Sequence, residues 1–107
     1  MLKAPTQRTP ERAMPKQKTP VRITNATAAA SVLTITFDQP VILKGVPKYT
    51  TDIAGATAVS AAMTNPTTLA LTFSAAVATA TEVTIPFEDP GIRNAVGGFV
   101  ADTTFPV

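Results

Sequence analysis

Leu33-Thr34-Ile35-Thr36-Phe37, running on into Asp38-Gln39-Pro40-Val41, is the stretch that decides the fold. Large apolar side chains at every second position place Leu33, Ile35 and Phe37 on one face of an extended chain and Thr34 and Thr36 on the other. That is the period of a strand with one buried face. The pattern returns 36 residues later as Leu69-Ala70-Leu71-Thr72-Phe73, with Val77 in the place of Val41. Any two amphipathic strands resemble each other, and two copies do not make a repeat protein. The pair therefore reads as two equivalent core strands, one in each half of a two-sheet body.

Working outward, short runs rich in Thr, Val and Ile alternate with Gly, Pro, Asn and Asp at intervals of roughly ten residues, the spacing of a sandwich or barrel. Strands are expected over 21–24, 32–38, 41–43, 48–52, 57–63, 68–73, 83–87, 99–100 and 103–107. Within 83–87 the alternation turns Val83, Ile85 and Phe87 inward. Asn65-Pro66 marks a turn, and Gly97-Gly98 a tight turn whose glycines permit positive φ. The Ala-rich segment 74–81 has helix propensity, but its Thr and Val content and its place between two strong strands favour a Greek-key connection. The fold class expected is all-β, an immunoglobulin-like Greek-key sandwich over 21–107 preceded by an extended arm over 1–20.

At 107 residues and 45% apolar content the chain supports one core and not two. A body of about 85 residues buries about 60–65% of its unfolded surface, so its stability margin is thin and assembly adds to it. The chain has no Cys and no His. Disulfides, thiolate chemistry, the commonest general base and the commonest metal ligand are thereby removed, leaving carboxylates, Lys and Tyr49. An enzyme would have to use paired carboxylates such as Asp38 with Glu88, in a concave site that short loops on a small sandwich hardly build. The expectation is a non-enzyme.

Glu88 and Asp89 with Asp38 or Asp52 have oxygen ligands for a hard cation but no EF-hand spacing, and read as solvated loop carboxylates. No metal or cofactor is expected. Asp89 and Arg93 flank Pro90-Gly91, which reads as a turn held by a carboxylate–guanidinium contact. Asn25-Ala26-Thr27 has the form of a glycosylation acceptor, but without a secretory signal it is a chance match. With no apolar signal region and no span of about eighteen apolar residues, the reading is a protein that is neither exported nor in a membrane. Met1 reads as a native start.

The formal net charge of +2 conceals a split. Up to residue 22, Lys3, Arg8, Arg12, Lys16, Lys18 and Arg22 oppose only Glu11, whereas beyond it Lys44, Lys48 and Arg93 face six carboxylates. Pro5, Pro10, Pro15 and Pro20 fall every fifth residue, which forbids a helix and favours an extended or polyproline II arm with a reach on the order of 60 Å. A solvated tail is the plain reading of such composition. The six cations Lys3, Arg8, Arg12, Lys16, Lys18 and Arg22 are the candidate partner-binding residues. The arm has no aromatic residue on which bases could stack, so an acidic protein surface is a better partner than nucleic acid.

The run Leu33-Thr34-Ile35-Thr36-Phe37-Asp38-Gln39-Pro40-Val41 resembles the opening strand of many bacterial and phage immunoglobulin-like domains. Asp89-Pro90-Gly91-Ile92-Arg93-Asn94-Ala95-Val96-Gly97-Gly98-Phe99-Val100 is similar to their closing hairpin. Together they cover about a fifth of the chain and carry no catalytic residue. Small free-standing domains of this kind resemble the capsid decoration, or cement, proteins of tailed phages. The resemblance implies a structural virion protein, assembled in the host cytoplasm, whose N-terminal arm binds the major capsid protein or other virion subunits and stabilises the head shell. Self-association into a homo-oligomer is compatible with that role. The alternative is a host-surface or carbohydrate-binding module of a tail or cell-surface assembly. A sugar site calls for clustered exposed aromatics, and most of Phe37, Tyr49, Phe73, Phe87, Phe99 and Phe105 fall on expected core faces.

Overall fold

The computed structural model describes residues 20–107, and in it the two alternating runs lie side by side. The elements in chain order are β1 (Ile23–Ala29), β2 (Val32–Phe37), β3 (Ile42–Leu43), β4 (Thr50–Thr51), β5 (Ala58–Asn65), β6 (Thr68–Phe73), β7 (Glu82–Thr84), β8 (Ile92–Arg93) and β9 (Thr104–Pro106). Among the described residues there is no helix. Strands β1-β2-β6-β5 form one antiparallel sheet, β4-β7-β9 a second, and β3-β8 a two-stranded ladder. This all-β arrangement of several antiparallel sheets around one core is compatible with a β-sandwich.

The two halves of the internal echo are neighbours in one sheet, not members of opposite sheets. Strand β2 pairs with β6 so that Leu33 stands opposite Leu71 and Ile35 opposite Leu69. All four are fully buried, and Phe37 and Phe73 nearly so. Register is fixed because a slip of one residue would turn this apolar set to solvent and bring Thr34 and Thr36 inside. Val83, Ile85, Ile92, Val77 and Val21 complete the same cluster from the other elements.

Turn chemistry sets the hairpins. Strands β1 and β2 are joined by Ala30-Ser31, with Ala30 at φ 53°, a conformation unusual for a residue with a Cβ. Its carbonyl accepts the Val77 N–H at 2.8 Å, and the Ser31 carbonyl accepts that of Phe73 at 2.8 Å. The turn thus fastens the Ala-rich 74–81 connection, which is irregular as expected. Between β5 and β6, Asn65 Oδ1 accepts the Thr67 N–H at 3.0 Å, a turn that the Asn-Pro pair announces.

Other expectations along the chain are corrected as well. Strand β1 extends to Ala29, well beyond 24, because its pairing with β2 runs the length of that strand. Strand β8 was not foreseen, since two residues are too few to show a period. Phe87 leaves the alternation of Val83 and Ile85 and is exposed, for reasons that belong to the site below. The arm over 1–19 lies outside the described residues.

Tyr49, between β3 and β4, is 1% exposed, and its hydroxyl has no hydrogen-bond partner among the described residues. Burial, then the negative charges of Asp89 and Asp102, push the phenol well above its ordinary value. Because the folded-state value is raised, the stability involved is complete at neutral pH. It falls once the unfolded chain's phenol begins to ionise near pH 10, by about 1.4 kcal/mol per pH unit. Tyr49→Phe removes both the orphaned hydroxyl and this proton linkage. Denaturant unfolding followed from pH 8 to 11 is expected to show equal or higher stability for the variant at pH 8, and a shallower alkaline decline than the parent.

Candidate functional site

Strand β4 pairs with β7 through Thr50↔Thr84 and Thr51↔Val83, and β3 pairs with β8 through Ile42↔Arg93 and Leu43↔Ile92. The two ladders are successive parts of one antiparallel pair that both chains leave, over 44–49 on one side and 85–91 on the other. Proline explains the break: Pro47, Pro86 and Pro90 have no N–H to give to a ladder.

Another set of bonds closes the gap. The Lys44 N–H donates to the Gly91 carbonyl at 2.7 Å. The buried Asp89 carboxylate accepts the Lys48 N–H at 2.7 Å through Oδ2 and the Gly91 N–H at 2.8 Å through Oδ1. The two segments touch backbone to backbone at Gly91, where an added Cβ would come within 2.9 Å of both Cα and N of Pro47. The expected Asp89–Arg93 contact is replaced by this clamp, because a carboxylate buried beside two unpaired N–H groups satisfies them first.

The broken ladder opens a cleft of about 520 Å³. Lys44, Lys48 and Arg93 line it, three of the four cationic side chains of residues 20–107. Val46, Pro86, Phe87 and Pro90 make its walls largely apolar. Phe87 is 85% exposed. Strand β7 ends at Thr84 and Glu88 adopts φ 52°, so the chain turns before the period of two can carry Phe87 inward. A non-glycine residue in that conformation costs about 1–3 kcal/mol and is found where surrounding structure enforces it, often around ligand sites.

Phe87 also borders a second cleft, of about 350 Å³, lined by Pro20, Gly97, Gly98, Glu88 and Asp102 among others. Here the N-terminal segment joins the body. Val21 is fully buried and bridges Val100 in parallel, its N–H donating to the Phe99 carbonyl at 3.0 Å and its carbonyl accepting the Ala101 N–H at 2.8 Å. Gln39 Nε2 donates to the Pro20 carbonyl at 3.1 Å, Arg22 N–H to Asp38 Oδ1 at 3.1 Å, and Ile23 N–H to Asp102 Oδ1 at 2.9 Å. The Arg22 side chain, 61% exposed, reaches the same Asp102 oxygen with Nε at 3.4 Å. Of the candidate partner-binding cations, Arg22 is thus at the root of the arm and partly engaged within the body. Lys3, Arg8, Arg12, Lys16 and Lys18 lie outside the described residues.

Two further carboxylates have structural places. Asp38 serves the arm root, while Asp52 accepts the Thr81 hydroxyl at 2.7 Å and its N–H at 2.9 Å, which hold its carboxyl below the ordinary range. Among the described residues no group of three or more Asp, Glu, His or Cys is placed to hold a metal ion. Asn94 is buried, accepts from the Val96 and Gly98 N–H groups and donates to Gln39, shaping the turn that contains Gly97 at φ 87°. No helix among the described residues is long and apolar enough to cross a membrane. No protein-family model, curated protein or solved structure matches the chain.

Sequence reasoning passed over Lys44, Lys48, Arg93 and Phe87 as a group, because they come together only through the broken ladder. The one available signal was the density of proline and glycine in both Gly45-Val46-Pro47 and Pro86-Phe87-Glu88-Asp89-Pro90-Gly91, which marks two irregular segments but not their adjacency. Asp89→Ala leaves the Lys48 and Gly91 N–H groups without acceptors. The expected result is a loss of about 2 kcal/mol or more, read as a lower urea midpoint at unchanged slope.

Proposed function

We propose that this protein is a non-catalytic attachment module: an immunoglobulin-like Greek-key sandwich that fixes itself to a larger assembly through its basic N-terminal arm, in the manner of a phage capsid decoration protein. The observation that carries the reading is the fastening of the arm's root. An arm that holds a domain to a surface transmits its pull through the residues where it joins that domain. Residues 20–23 meet this need with a buried Val21 and bonds to Gln39, Asp38, Phe99, Ala101 and Asp102.

The strand order supports the fold part of the proposal. With β1, β2, β5 and β6 taken as A, B, D and E, and β4, β7 and β9 as C, F and G, the sheets follow the ABED and CFG orders of constant-type immunoglobulin domains. Asp38, one member of the carboxylate pair an enzyme would need, and the buried Asp89 are both engaged with backbone N–H groups, which favours a structural role over a catalytic one. Lys3, Arg8, Arg12, Lys16 and Lys18 against Glu11 leave the arm strongly positive, suited to an acidic groove between virion subunits. The host-surface reading gains one point from the exposed Phe87, but a single aromatic is a sparse platform for a sugar.

Deletion of residues 1–19 keeps Pro20 and its bond to Gln39. The truncated body is expected to retain its circular dichroism and urea midpoint and to lose co-sedimentation with phage heads from the same infected culture. Lys16→Glu with Lys18→Glu is expected to weaken attachment and flatten its dependence on salt. Full occupancy by the truncated body would overturn the arm's role.

A further inference from the structure

We infer that the cleft between residues 44–48 and 86–93 docks an acidic peptide segment of a partner protein, with an apolar side chain of that segment lying on Phe87. The inference rests on the attachment reading for the kind of partner, a protein surface, but not on the arm.

Charge complementarity selects the occupant. The described residues carry six carboxylates against four cations, yet three of those cations gather on this cleft. The carboxylate that shares the cleft, Asp89, is buried and faces two N–H donors. The mouth is therefore positive on a body that is otherwise negative, so charge favours an acidic occupant over a basic one. Phe87 supplies the apolar anchor: a ring held 85% exposed beside a φ of 52° at Glu88 has given up burial that an ordinary continuation of the strand would have provided. Aromatic side chains are enriched at the centres of protein contacts, where they act as anchors once a partner covers them.

A nucleic acid fits less well. Its backbone would track beyond the cleft across a surface where carboxylates prevail, and Phe87 alone gives one stacking position. A bare phosphate would use the cations and leave Phe87 and Val46 without a role. A short acidic segment with one apolar side chain uses both, and the bridging of the two walls at Gly91 and Asp89 fixes their relative position before binding, which lowers the ordering cost.

The test uses the full chain, labelled with 15N, and three probes: a ten-residue peptide of alternating Glu and Leu with a central Phe, a peptide in which Lys replaces each Glu, and inorganic polyphosphate. The expected result is that the acidic peptide shifts the backbone amides of 44–48 and 87–93, that the shifts shrink with salt, and that the basic peptide produces none. Lys44→Glu with Lys48→Glu, and separately Phe87→Ala, are each expected to weaken this binding about tenfold or more. Both substitutions are at exposed side chains, and an unchanged spectrum elsewhere verifies the fold.

Shifts confined to residues 1–19, or equal binding by the Phe87→Ala variant, would overturn the inference. So would polyphosphate shifting the same amides more tightly than the peptide, which would make the cleft a phosphate site. The arm is judged separately. Loss of particle attachment on deleting 1–19, with no effect of Lys44→Glu and Lys48→Glu on either attachment or peptide binding, would leave the attachment reading standing and sink the cleft. The converse pattern would sink the arm and keep the cleft.

Discussion

The structure depends first on the seam between β2 and β6. Leu33 with Leu71 and Ile35 with Leu69 meet across neighbouring strands, and all four are wholly removed from water. Each such side chain contributes about 1.5–3 kcal/mol of burial, a large share of what a domain of this size has to offset the entropy of ordering its chain. The seam also joins the two hairpins that make up the larger sheet, β1 with β2 and β5 with β6, so it is the one long-range pairing that both require. Thr34 and Thr36 face out from the same strands, which keeps the register single-valued.

None of the residues of β1, β2, β5 or β6 is charged, so every ionisable side chain of 20–107 lies in the remaining elements and loops. The molecule is divided accordingly. One sheet is scaffold, built from Thr, Ala and aliphatic side chains. The remaining strands, the loops and the arm root carry the charges, the exposed aromatic ring and the positive φ of Glu88. That division follows from geometry: a continuous ladder satisfies its own backbone groups, whereas an interrupted one needs polar side chains to do so, and Asp89 is the side chain that does.

The interrupted ladder and the arm root adjoin each other at Phe87, which borders both clefts. On the attachment proposed above, a domain held only through residues 1–19 would be free to turn about its root without a second contact. A positively charged cleft beside the root is well placed to be that contact, and two weak attachments on one body bind together far more tightly than either alone. Both proposed contacts call for an acidic partner, although the chain's overall charge is only +2.

Much of the fold is legible in the chain as written. The alternation of Leu33-Ile35-Phe37 and Leu69-Leu71-Phe73, the Asn65-Pro66 turn and the irregular 74–81 connection all follow from local period and turn chemistry, because these features act over a few residues. The basic, proline-spaced composition of 1–20 is likewise a property of the sequence. Tertiary structure decided the rest. It placed β2 beside β6 in one sheet, brought 44–49 against 85–91, turned Phe87 outward and gave Asp89 to backbone N–H groups in preference to Arg93. No local rule reaches these outcomes, since they are choices between partners far apart in the chain, as Lys48 and Asp89 are at 41 residues, or between a salt bridge and two unsatisfied donors, and only the folded chain brings those competitors within bonding distance.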